Sequence, residues 1–189
     1  SLHDALPIST AALDELERAV AKGLWVGEML LKGSAFDELQ NHPRFLLIKE
    51  KMSDMKTRRE KYGSTVYLLE PNLKEGKGGL RDLHTLFWIG KYLYRVTTVP
   101  ELVDKGLLTA DELRQFQKAE NFLWAVRCHL HLIAKRPEER LTFDVQREIA
   151  TRMRYNDRPG RSAVERFMQH YFLNAKVVGD LTGVFLAHL

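Results

Sequence analysis

Residues 109–137, TADELRQFQKAENFLWAVRCHLHLIAKRP, carry the pattern that decides the fold. Thr109 and Glu112 have the spacing of a capping box, in which a hydroxyl and a carboxylate satisfy the first free amides of a helix. Leu113, Phe116, Leu123, Val126, Leu130 and Ile133 then recur at helical steps, placing an apolar stripe along one side, and the helix stops before Pro137. The same logic works outward in both directions. Upstream, Leu80 begins a helix that is apolar on most sides through Leu83, Leu86, Phe87, Trp88, Ile89, Tyr92 and Leu93, which suits the middle of a bundle. Downstream, Ser162 and Glu165 cap a last helix through Phe167, Met168, Tyr171, Val178, Leu181 and Phe185. Shorter helices are expected from Arg44 to Lys61, with Phe45, Ile48, Met52 and Met55 inward, from Pro100 to Gly106, and from Asp144 to Met153. Thr65 to Leu69 is the one extended stretch, and a lone strand cannot make a sheet. The expected fold class is all-α, a helical bundle with one glycine-rich loop.

A chain of 189 residues with 44% hydrophobic content can bury one substantial core. The formal net charge of +4 arises from 29 basic residues set against 25 acidic ones, a mixture that argues against a nucleic-acid partner. The densest basic run, Lys49 to Lys61, is interrupted by Glu50, Asp54 and Glu60 and reads as a solvated helix face. The single cysteine, Cys128, cannot form an internal disulfide, and the expected compartment is the cytoplasm. The most apolar segment, Leu80 to Val96, is broken by Arg81, Asp82, His84, Lys91 and Arg95, so no membrane span is expected.

The segment Glu70-Pro71-Asn72-Leu73-Lys74-Glu75-Gly76-Lys77-Gly78-Gly79-Leu80-Arg81-Asp82 is where chemistry would sit. Its glycines allow close backbone approach, amides at the start of the Leu80 helix favour an anion, and Lys74, Lys77 and Arg81 add positive charge. Lys74, Lys77, Gly78, Gly79 and Arg81 are therefore candidates for binding a nucleotide or phosphate, with Glu70 and Asp82 as supporting carboxylates that hold a metal ion or orient the cations. The competing reading is structural: glycines for a tight helix entry, Asp82 complementing the helix dipole, and solvated lysines. Neither common phosphate-loop spacing is present.

Other reactive residue types give weaker signals. His129 and His131 lie two apart on a helix and point in divergent directions, so they cannot share one ion. Cys128, Trp88 and Trp124 are expected in the core. No H-E-x-x-H or paired C-x-x-C occurs, and no metal site or certain catalytic residue is assigned within the chain.

The run from Tyr67 to Leu86 resembles the signature that follows the nucleotidyltransferase domain in bifunctional protein-PII uridylyltransferases. Three later runs resemble the same family in the same order: Phe122-Leu123-Trp124-Ala125-Val126-Arg127 with His129-Leu130-His131, then Arg140 to Gln146, then Ala163 to Met168 with His170-Tyr171-Phe172. The resemblance implies an enzyme that moves UMP from UTP to the signalling protein PII and hydrolyses it off again. It further implies an upstream transferase domain using Mg²⁺, and downstream HD and glutamine-sensing ACT domains. No G-S-x-x-x-x-x-D-x-D stands before Glu70, so UTP and Mg²⁺ ligands are expected mostly outside this chain, which alone should be inactive. The related glutamine synthetase adenylyltransferase is an alternative, but Leu80 and Leu83-His84-Thr85 fit the PII enzyme better. A further alternative is an interaction module that docks PII or neighbouring domains. The expected organisation is a non-native or artefactual leader at 1–9, connecting helices at 10–43, and the bundle at 44–189.

Overall fold

A computed structural model of the chain describes residues 43–187. The expected leader at 1–9 and the connecting helices at 10–42 lie outside the described residues. Six helices follow in order: α1 Pro43–Tyr62, α2 Leu80–Tyr94, α3 Glu101–Asp104, α4 Ala110–Ala134, α5 Phe143–Arg152 and α6 Ala163–Ala187. No β-strand occurs among the described residues, and the helices pack as the apolar patterning requires.

Helix α6 is the hub. It packs against α4, α5 and α2, while α4 also meets α5 and α2, and α1 meets α2 at the edge. Its expected inward set, Phe167, Met168, Tyr171, Val178, Leu181 and Phe185, is buried throughout. Facing it are Leu83, Leu86 and Ile89 from α2, Phe116, Leu123, Val126 and Leu130 from α4, and Ile149 from α5. Of the residues expected inward on α1, Met55 is buried, whereas Ile48 and Met52 are half-buried.

The termini of the helices follow from local chemistry. Both halves of the Thr109–Glu112 capping box are formed. Ser162 and Glu165 make the same reciprocal pair: the Glu165 amide donates to Ser162 Oγ at 3.2 Å and the Ser162 amide to the Glu165 carboxylate at 2.7 Å. Helices α2 and α4 end on non-glycine residues in the left-handed region, Arg95 and Lys135.

One expectation is corrected. Trp124 and Cys128 lie outward on α4, Trp124 being 38% exposed. Leu123, Val126 and Leu130 take the inner side, and residues four apart at 124 and 128 share the outer one. Trp88 is half-buried. Thr65 to Leu69 is a loop, and an isolated antiparallel bridge joins Asn72 to Arg140 just beyond it. There the Leu73 amide donates to the Glu139 carbonyl at 2.8 Å and the Leu141 amide to the Pro71 carbonyl at 2.9 Å.

Candidate functional site

The glycine-rich segment folds back on itself before α2 begins. Asn72 organises the turn, its side-chain oxygen accepting from the amides of Lys74 at 3.1 Å and Glu75 at 2.7 Å. The Gly76 amide donates to the Asn72 carbonyl, and the Gly79 amide to that of Gly76. The first amides of α2 are also occupied: Leu80 donates to the Leu73 carbonyl, Arg81 to Lys74 and Asp82 to Gly79. The helix entry thus satisfies its own free donors. What the loop presents outward is side chains rather than a backbone cradle.

Gly78 and Gly79 are buried by close packing. Gly78 has φ +76°, and a Cβ there would stand 2.2 Å from the Ala175 carbonyl oxygen on α6. Its amide donates to Asp82 Oδ2 at 3.0 Å. Burial pushes the Asp82 carboxyl above its ordinary range, against the opposing pull of that amide and of the Arg58, Arg59 and Lys77 charges.

Arg81 and Glu75 form the central pair. Arg81 Nη2 donates to Glu75 Oε1 at 2.9 Å, and Nε reaches both carboxylate oxygens at 3.3 and 3.4 Å. The hydrogen bonding to Glu75 holds the Arg81 pKa above its usual value. Burial of Glu75 works against its charge, yet Arg81, Arg58 and Lys74 together hold its carboxyl below the ordinary carboxylate range. Lys74 Nζ lies 3.8 Å from Glu75 Oε1, and Arg58 Nη1 lies 3.8 Å from Oε2. Three cations therefore gather around one carboxylate.

These groups border a cleft of about 540 Å³ between α1 and α2, lined by Lys51, Asp54, Thr57, Arg58, Glu75, Arg81, His84, Thr85 and Trp88, a size common for small-molecule sites. Burial lowers the His84 pKa, and the charges of Arg81, Arg127 and Lys74 lower it further, so its imidazole is neutral at pH 7. Thr85 is committed to the helix, its hydroxyl donating to the Arg81 carbonyl at 2.8 Å.

Of the residues singled out from the sequence, Lys74 and Arg81 meet at the Glu75 carboxylate, Arg81 lines the cleft, and Lys77 adds positive potential at Asp82. Glu70 lies elsewhere. Its carboxylate accepts from Arg140 Nη2 at 3.0 Å and from the Phe143 amide at 2.9 Å, capping α5. Glu70 and Asp82 do not converge, and among the described residues no group of three or more metal-binding side chains is placed to hold an ion. Sequence reasoning missed Arg58, because the basic run on α1 looked uniformly solvated. Its signal was position: Arg58 stands one turn beyond Met55, on the inward spacing of α1.

An all-α domain with a cation-lined cleft beside a self-capped glycine-rich loop is the class of structure that these features define. The chain belongs to the GlnD PII-uridylyltransferase family, whose model matches residues 44–186. A bifunctional uridylyltransferase/uridylyl-removing enzyme of Novosphingobium aromaticivorans is 53% identical over 196 residues, a match covering 96% of this chain and 22% of that protein. The enzyme of the same description from Erythrobacter litoralis is 57% identical over 191 residues, covering 99% of this chain and 20% of that protein. The chain thus spans about a fifth of the length of these curated relatives. No solved structure matches it.

Proposed function

We propose that this chain is the helical part of an enzyme that transfers UMP from UTP to the PII signalling protein and removes it by hydrolysis, and that the Glu70–Asp82 loop supports the transferase site. Lys74, Lys77 and Arg81 supply positive charge, while Gly78, Gly79, Glu70 and Asp82 hold the loop's shape. Mg²⁺ and most UTP contacts belong to a transferase domain upstream, hydrolysis to an HD domain downstream, and glutamine sensing to ACT domains. The enzyme acts in the cytoplasm, with no nucleic acid and no membrane as partner. Among the described residues no helix is long and apolar enough to cross a membrane.

The observation that carries this reading is Arg81, 43% exposed at the cleft margin while Glu75 fixes its orientation through Nε and Nη2. Negative charge builds on the leaving pyrophosphate as the UMP phosphorus is attacked, so a guanidinium held in place stabilises the transition state more than bound UTP. In the intact enzyme Arg81→Ala or Lys74→Ala should slow uridylylation by roughly ten- to a thousandfold and leave UMP removal far less affected. Equal loss of both activities with a lowered melting temperature would show that Arg81 only pins the loop through Glu75.

A second reading, a non-catalytic docking module, draws on Tyr67, Leu69, Phe143 and Leu173, large apolar side chains that stand exposed. Under it, Arg81→Ala weakens neither activity, whereas Leu69→Asp or Leu173→Asp weakens association with PII or with adjoining domains.

A further inference from the structure

Arg58 is the anomalous cation of the cleft. Its side chain is only 15% exposed, yet its two carboxylate neighbours stand off, with Nη2 3.5 Å from Asp82 Oδ1 and Nη1 3.8 Å from Glu75 Oε2. Both separations exceed the usual N–H···O range. Nη1 is buried and donates to no acceptor among the described residues. A guanidinium carries five N–H donors, and removing them from water without filling them is unfavourable. Both carboxylates already have closer partners: Asp82 takes the Gly78 amide at 3.0 Å, and Glu75 takes Arg81 at 2.9 Å. Among the described residues no acceptor completes Arg58 Nη1.

Arg58 and Arg81 come from different helices, flank the same Glu75 carboxylate and line the same cleft. Two guanidiniums converging in this way match the oxygens of a tetrahedral oxyanion, which accepts from several planar forks at once. The cleft, about 540 Å³ with Trp88 on its wall, is larger than one phosphate requires and has room for the rest of a nucleotide.

We infer that the α1–α2 cleft is a phosphate site in which Arg58 and Arg81 together grip a phosphoryl group of UTP or of the pyrophosphate product. This rests on the reading that the loop serves the transferase site, and adds to it a residue contributed by α1. The shared chemistry is a phosphoryl oxyanion, and the two probes separate its sources.

The test uses the full-length enzyme with Arg58→Gln and Arg58→Lys, measuring the KM for UTP, product inhibition by inorganic pyrophosphate, and the melting temperature. Arg58→Gln should raise the KM for UTP by about tenfold or more, the usual scale for one charge-assisted contact, with UMP removal and the melting temperature nearly unchanged. Arg58→Lys keeps the charge but not the fork and should recover only part of the loss. A parallel weakening of pyrophosphate inhibition assigns the gripped group to the leaving phosphates. A change for UTP alone assigns it to the phosphate of the transferred UMP. Unchanged UTP KM and pyrophosphate inhibition with a lowered melting temperature would reduce Arg58 to a brace for Asp82 and overturn the proposal. Should Arg58→Gln fail to fold, Arg58→Lys decides, since a wild-type KM for UTP in that variant also overturns it. Slowed transfer in Arg81→Ala beside wild-type Arg58 variants defeats this inference alone. The reverse pattern, a raised KM in Arg58→Gln beside wild-type transfer in Arg81→Ala, removes Arg81 from the grip and defeats the loop reading with it.

Discussion

Gly78 and Gly106 share nearly the same left-handed backbone, φ +76° and +70°, but not the same surroundings. A Cβ on Gly106 meets nothing within 4 Å, whereas one on Gly78 runs into the backbone of α6 at Ala175. Gly106→Ala should therefore cost only the left-handed penalty, about 1–2 kcal/mol. Gly78→Ala adds a clash that no side-chain rotation relieves and should cost about 3 kcal/mol or more, both read from urea denaturation midpoints. Glu101 gives a pH test. Hydrogen bonds from the hydroxyl and amide of Thr97, and from Thr98, lower its pKa to about 2. Because the folded value is depressed, the stability that it contributes is present above the unfolded value of 4.5 and is lost as pH falls toward 2. Protection of the Thr97 and Thr98 amides, relative to their intrinsic exchange rates, should fall across that window, and Glu101→Gln should abolish that change. At this scale the sequence was least legible. Arg58 looked like one solvated cation among several, and Cys128 looked like a core thiol, because composition alone does not say which side of a helix is covered.

Helix boundaries were far more legible, for the reason that capping is local. The Thr109–Glu112 and Ser162–Glu165 boxes close within three residues, so the spacing alone announces them. Thr109→Ala should cost about 1 kcal/mol, seen in thermal unfolding. Helix α5 is different. Thr142 makes no side-chain cap, and the Phe143 amide is satisfied instead by Glu70, 73 positions earlier. No short-range pattern can reveal a cap borrowed across that distance, which is why Glu70 was assigned to the phosphate loop's chemistry and not to α5. Glu70→Ala should cost about 1–2 kcal/mol, the range for losing a cap and its charge at a helix start. Amide exchange should rise at Phe143 and its neighbours while α4 stays protected.

For the whole molecule, the apolar periodicity of α6 foretold its buried face because a helix surrounded by others must be apolar at every inward step. Phe167, fully buried between α4 and α6 and 6.4 Å ring to ring from Phe122, should cost about 3–5 kcal/mol when truncated to Ala. That loss should appear as one cooperative shift in chemical denaturation rather than as local fraying. Activity is the complementary whole-molecule test. The 189-residue chain shows no aspartate pair after a glycine-serine motif and spans about a fifth of the length of its curated relatives, so alone it should neither uridylylate PII nor release UMP.

The loop that frames the cleft is tied down by partners far along the chain. Arg140 and the Phe143 amide reach Glu70 across 70 and 73 positions, and Gln146 Nε2 donates to the Leu69 carbonyl across 77. During biosynthesis those anchors do not yet exist when the loop leaves the ribosome. At roughly 5–20 residues per second, the 77 intervening positions correspond to a wait of about 4 to 15 seconds. For that interval Glu70 and the Leu69 carbonyl have only water as partners. Protection of the Leu73 amide, whose acceptor is the Glu139 carbonyl, should appear in pulse-labelled nascent chains only after Glu139 has emerged, so the cleft takes its shape late in the synthesis of this domain.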